Sequence, residues 1–210
     1  MKKYLGLERL KNNELLYHYT KCTAAASILK TGSLFATESS FLSDSNEKSF
    51  ILHIAQEYVD TIDNPSWHTL LSEQILDTKA EFQRHDIFVL SFSEAADAIT
   101  LWSEFGEETG YNLAFDGKEL LRDIEAEQKI YCHGRVLYSH ERQLELIRTL
   151  FEKTIPGKTG STFQDILQAG SGPLFELYCH KLRSALNIYA MFFKQEEFQA
   201  EKEYRIVFKR

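Results

Sequence analysis

Glu201-Lys202-Glu203-Tyr204-Arg205-Ile206-Val207-Phe208 is the stretch whose reading decides the fold. Side chains alternate across a strand, so Glu201, Glu203, Arg205 and Val207 take one face and Tyr204, Ile206 and Phe208 the other. The apolar face asks for a core. The polar face sets two carboxylates and a guanidinium at ~6.5–7 Å intervals along the chain. A second stretch, Leu15-Leu16-Tyr17-His18-Tyr19-Thr20, has the same character and turns His18 and Thr20 to one side. The two strands are expected to meet and to gather an imidazole, a hydroxyl, two carboxylates and a guanidinium around one cleft. The plainer account of the acidic strand is a solvated face with surface ion pairs worth ~0–1 kcal/mol. The plainer account of His18 is a core imidazole bonded to backbone.

Between these ends, strand and helix signals interleave irregularly, which favours an α+β fold over a doubly wound one. Phe50, Ile51, Ile54, Ala55, Tyr58 and Ile62 recur at helical spacing, and Asn64-Pro65 ends that run. Ser66 is the expected cap of a second helix through Trp67, Leu70, Leu71 and Ile75. The chain therefore reads as one domain over 1–210 with a helical insertion at about 46–84. Thr23 and Gly32 bracket a short helix, and Leu34-Phe35-Ala36 re-enters as a strand. Segment 86–92 is a strand with Ile87, Val89, Ser91 and Ser93 on one face. Further strands are expected at 111–115, 130–138 and 192–193, a loop at 155–161, and a central helix at about 173–189, apolar on more than one side.

Composition excludes several functions. The net charge of −7 argues against general affinity for nucleic acid or anionic membranes. No run approaches the ~18 apolar residues of a membrane span, and Met1-Lys2-Lys3-Tyr4 lacks a leader-like apolar stretch. A cytoplasmic protein with no membrane partner is expected. Cys22, Cys132 and Cys179 are odd in number and in no metal pattern, so they read as buried thiols in a reducing compartment. The histidines lack partners at metal-ligand spacing, and no metal is expected. Pro156-Gly157-Lys158-Thr159-Gly160 suggests a phosphate loop, but Glu152 stands where that motif needs glycine. Trp102-Ser103-Glu104-Phe105-Gly106 offers an aromatic platform or a core tryptophan.

Several of these segments, taken in order, carry a resemblance. His18-Tyr19-Thr20 followed by Ile28-Leu29-Lys30-Thr31-Gly32-Ser33-Leu34 is similar to the opening of ADP-ribosyltransferase folds, where a strand bearing a histidine precedes a short helix closed by glycine. The wider order resembles a bacterial family labelled DUF2971. It matches Leu42-Ser43-Asp44 with Glu47, Leu90-Ser91-Phe92-Ser93, Trp102-Ser103 with Phe105-Gly106, Gly110 through Phe115, Phe198, and Glu201-Lys202-Glu203-Tyr204-Arg205. Two departures are Ser43, where that pattern commonly has asparagine, and Tyr19, which replaces the glycine of the poly-ADP-ribosylating branch and argues against chain elongation.

The resemblance implies split, mostly antiparallel sheets around a cleft, with NAD as co-substrate. It implies that Glu203 contacts the nicotinamide ribose and that Glu201 faces the acceptor. His18, Tyr19, Thr20, Ser91, Ser93, Trp102 and Arg205 become the expected cofactor-binding set. The implied reaction cleaves the nicotinamide–ribose bond and passes ADP-ribose to a protein or nucleic-acid acceptor. A toxin or antiphage-defence effector with an antitoxin or defence partner is the implied setting. Two alternatives remain: a non-catalytic nucleotide- or RNA-binding module, and a metal-independent ribonuclease using His18 and a tyrosine.

Overall fold

The computed structural model describes residues 6–42, 47–82, 86–106 and 109–210. In chain order the elements are β1 (Leu15–Lys21), α1 (Cys22–Thr31), β2 (Thr37–Glu38), α2 (Glu47–Val59), α3 (Pro65–Glu81), β3 (Ile87–Ser93) and α4 (Ile99–Leu101). There follow β4 (Gly110–Asp116), α5 (Gly117–Glu127), β5 (Cys132–Arg135), α6 (His140–Thr149), α7 (Ile155–Thr159), α8 (Phe163–Gln168), α9 (Pro173–Tyr189) and β6 (Glu203–Lys209). The protein is α+β, as its sequence indicates.

The chain divides into two compact units. The first takes Met1–Leu42, His85–Val136 and Glu196–Arg210 and holds the six strands found among the described residues; the second takes Ser43–Arg84 and Leu137–Gln195. Helices α2 and α3 fill the stretch read as an insertion, yet they do not stand alone. Both pack against α9, and α2 also packs against α6.

In the second unit Ile51, Leu71, Ile147, Phe151, Tyr178, Leu182 and Leu186 are buried. Asn64, not Ser66, caps α3: its side chain accepts from the Ser66 and Trp67 amides, and Pro65 takes the first helical position. Segment 155–159, expected as a loop, is α7. It continues from a π-helical turn, and Gly160 closes it in the left-handed region at φ 78°. Phe192–Phe193 does not begin a strand. The chain makes a 3-10 turn at Ala190–Phe192, and Phe193 forms a single parallel bridge with Leu137.

In the first unit the strands form one antiparallel sheet in the order β4-β1-β3-β6-β5. The short β2 pairs with β3 at Phe88 and Val89, while β1 meets β3 at Ser93. Split sheets were the expectation; among the described residues the six strands belong to one sheet. The strand expected at 34–36 lies instead at Thr37–Glu38.

Register assigns two faces, because paired residues point the same way. Tyr204, Ile206 and Phe208 share a face with Phe92, Leu90 and Phe88, and this Tyr204 face carries a core with Leu10, Leu16 and Ile130. Leu120, Leu121 and Ile124 of α5 pack against that core. Asp116 starts α5 by accepting from the Lys118 and Glu119 amides, each at 3.0 Å. Asp116→Ala is expected to lower stability by ~1 kcal/mol, read as a shift in urea midpoint. An unchanged midpoint would mean that the cap does not hold the helix start.

Candidate functional site

The opposite face carries the polar residues. Glu203 lies directly across from Ser93 and Arg205 across from Ser91, while Tyr17 of β1 pairs with Ser93 on the other side. Tyr17, Ser93 and Glu203 therefore form a row across three adjacent strands. At ~4.8 Å per strand spacing the row spans ~10 Å.

Arg205 grips Glu203 through both carboxylate oxygens, Nε to Oε2 at 2.8 Å and Nη2 to Oε1 at 2.9 Å. The pair is nearly sealed, with side chains 3% and 9% exposed. Charge-assisted forked bonds of this kind fix orientation as well as charge.

The start of β6 is held in an unusual backbone. Lys202, between the two glutamates, takes φ 45°, a left-handed conformation costing a non-glycine residue ~1–2 kcal/mol. Its carbonyl accepts from the Glu94 amide at 2.9 Å. The Ser93 hydroxyl donates to the Glu201 carbonyl at 2.6 Å and accepts from the Ala95 amide at 2.9 Å. Ser93 thus ties the turn before β6 to the end of β3. Glu201 is buried beside this turn.

Tyr19 lies on the same face as Tyr17. Its hydroxyl donates to the Ala95 carbonyl at 2.7 Å and accepts from the Ala98 amide at 3.0 Å. Its ring meets Trp102 edge-on at 4.9 Å, and the indole N–H donates to Asp97 Oδ1 at 2.8 Å. Trp102 opens a π-helical turn, Trp102–Gly106, whose end folds back on Gly110. A Cβ at Gly110 would lie 2.3 Å from the Gly106 Cα, so no larger residue fits there.

His18 and Thr20 are not part of this assembly. They alternate with Tyr17 and Tyr19, so they face the Tyr204 side, with the His18 ring 5.7 Å from Phe92. Its Nδ1 lies 3.4 Å from the Ser91 carbonyl, and burial pushes its pKa down. The expectation that His18 and Glu203 share one cleft is corrected: β3 separates their strands, and the side chains leave opposite faces of the sheet. Tyr17 takes the place assigned to His18. Nothing in the sequence distinguishes the two, because parity relative to β6 depends on a register that only pairing fixes. In the turn over 43–47, residues 43–46 lie outside the described residues.

A second buried cluster was not visible in the sequence. His133 on β5 lies between Arg9 Nη1, 2.7 Å from its Nε2, and the Tyr204 hydroxyl, 2.5 Å from its Nδ1. Arginine only donates, so Nε2 accepts and the imidazole is neutral. Burial and the Arg9 charge push its pKa down to about 4. Nearby, Arg135 bonds Glu94 twice (2.8 and 2.6 Å) and Glu14 at 2.7 Å, which pins β5 to two loops.

Because His133 is held neutral, an unfolded chain binds its proton first as pH falls. Stability is therefore full above pH 6.5 and declines between 6.5 and about 4, by ~2–3 kcal/mol for this group. Urea midpoints at pH 7.5 and 4.5 measure the decline, and His133→Gln is expected to remove most of it. An equal decline in that variant would assign it to other groups.

Among the described residues no cluster of three or more His, Cys, Asp or Glu could hold a metal ion, and no helix is long and apolar enough to cross a membrane. All three cysteines are free; Cys132 and Cys179 are buried, but Cys22 is exposed, contrary to expectation.

Together these features define an α+β protein with one antiparallel sheet and an acid–guanidinium pair embedded in one face. A family model described as "Protein of unknown function (DUF2971)" matches residues 101–206, and the chain belongs to that family. The matched span contains Trp102, Glu201, Glu203 and Arg205 but not β1 or β3. No curated protein and no solved structure matches the chain.

Proposed function

We propose that the protein is an NAD-consuming enzyme of ADP-ribosyltransferase type whose acid is Glu203. The observation that carries this reading is the row Tyr17–Ser93–Glu203, with Glu201 one strained residue away. A transferase of this kind needs a fixed, charged carboxylate, a neighbouring acceptor-facing group and side chains to hold a sugar and a base. Glu203 is fixed through both oxygens, Ser93 holds the Glu201 backbone, and the partly buried Tyr17 and Trp102, packed against the buried Tyr19, supply a phenol and ring surface.

NAD would bring a glycosidic C–N bond whose breakage leaves positive charge on the ribose while the electron pair departs with nicotinamide, as in other glycosyl transfers. The Glu203 carboxylate would counter that charge, and the low dielectric around it would strengthen the effect. Glu201 would orient the acceptor. The setting in toxin or defence biology belongs to this proposal and follows from the family resemblance alone, while the cytoplasmic location belongs to it on the cysteine usage and apolar runs of the sequence.

One observation favours a second reading, a binding module without catalysis. The Glu203 carboxylate is already engaged by Arg205 and nearly sealed, as a structural pair would be. Incubation with isotopically labelled NAD, followed by mass spectrometry of the protein, nucleic-acid and small-molecule fractions, separates the two. Free nicotinamide with labelled ADP-ribose on a macromolecule supports the transferase. Bound but intact NAD supports the module and overturns the transferase.

A further inference from the structure

On the Tyr204 side of the sheet the first unit is indented by a cleft of about 920 Å³. Its floor is Phe88, Leu90, Leu113, Phe115 and Phe208. One wall is the end of α1 with segment 32–36, whose Leu29 and Phe35 are 76% and 84% exposed at the rim. Large apolar side chains left outward beside an apolar floor mark a surface that another molecule covers.

The other wall is α5, and it is acidic. Asp116, Glu119, Asp123 and Glu127 line the cleft at intervals of three, four and four residues. They form a rail along one side of the helix ~16 Å long, at ~1.5 Å per residue. Among the described residues Arg210 is the one cation in the lining, and it stands over the Phe88 ring at 4.8 Å. Arg122 approaches Glu119 and Asp123 at 3.8 and 3.3 Å, but both carboxylates stay about two-thirds exposed (67% and 70%).

An apolar trough beside a ladder of carboxylates selects its occupant. Nucleic acid and anionic lipid are repelled by four acids, and a neutral apolar ligand leaves the rail unused. A helix with an apolar stripe and Lys or Arg at four-residue intervals matches both features, and three turns of it match the length of the rail.

We propose that this cleft docks a basic amphipathic helix of a partner protein. The surface lies on the face of the sheet opposite Glu203, so the proposal does not depend on the chemistry assigned there.

The probe is a fluorescein-labelled 14-residue peptide of leucine and lysine patterned as an amphipathic helix, titrated with the full chain and read by anisotropy. Saturable binding is expected, weakening at least ~10-fold when Glu119, Asp123 and Glu127 are all changed to Lys. Phe35→Ser is expected to weaken it as well, with far-UV circular dichroism unchanged in both variants. A scrambled peptide of the same composition, unable to form the stripe, should bind at least ~10-fold more weakly. Absence of binding, equal binding of the scrambled peptide or insensitivity to the charge reversals would overturn the proposal. Tighter binding of a single-stranded RNA oligonucleotide or of phosphatidylserine vesicles would overturn it too.

Discussion

Arg205→Ala is expected to lower the stability of the fold by ~3–5 kcal/mol, the cost of removing one partner from a buried ion pair. The guanidinium and the Glu203 carboxylate are 3% and 9% exposed and joined by two bonds, so truncation strips the acid of its fork within the sheet. Arg205→Lys is expected to recover only part of the loss, because an ammonium cannot match the carboxylate with two parallel bonds. Replacing both residues, Glu203→Leu with Arg205→Met, should cost much less than the sum of the single changes, since neither half of the pair is then left buried without the other. Urea denaturation of these variants and of the single changes Glu203→Leu and Arg205→Met measures this. Equal midpoints for Arg205→Ala and the parent would mean that the pair contributes nothing to folding.

Glu203→Gln addresses chemistry rather than packing. The amide keeps the shape of the side chain and one acceptor oxygen for Arg205, but its NH2 meets the second guanidinium donor, so a clear fall in melting temperature is expected and the rate is compared where the chain stays folded. What disappears is the negative charge beside the developing ribose cation. Losing one preorganised electrostatic contact typically lowers turnover by ~10²–10³-fold. Nicotinamide release is expected to fall by at least ~100-fold at protein concentrations where circular dichroism still reports a folded chain. Release at the parental rate would remove Glu203 from the chemistry and leave it the structural role tested by Arg205→Ala.

These two residues were legible in the sequence because alternation within one strand needs no partner. Glu203 and Arg205 follow from 203–208 alone, and so does the apolar reverse of Tyr204, Ile206 and Phe208; Glu201, expected on the same strand face, lies instead at the end of a 3-10 turn, with Lys202 breaking the alternation before β6. Gly32 as the stop of α1 and the strand at 87–93 are local signals of the same kind. Relations between strands were not legible. Parity within 15–20 separates His18 from Tyr17, but which of them faces Glu203 depends on the pairing of Tyr17 with Ser93 and of Ser93 with Glu203. Segment 137–195 gives another case: its helices carry clear periodicity, but no local signal tells that they pack with α2 and α3. The His133 cluster escaped for a related reason, since Arg9 and Tyr204 lie 124 and 71 residues away from it in the chain.

The choice of face is the point on which the functional account turns. Initial rates of nicotinamide release for Tyr17→Ala and His18→Ala, measured beside the parent protein, test it most directly. The account predicts at least a ~10-fold loss for Tyr17→Ala and a rate within ~3-fold of the parent for His18→Ala. A loss confined to His18→Ala, or no release by the parent protein, would contradict it.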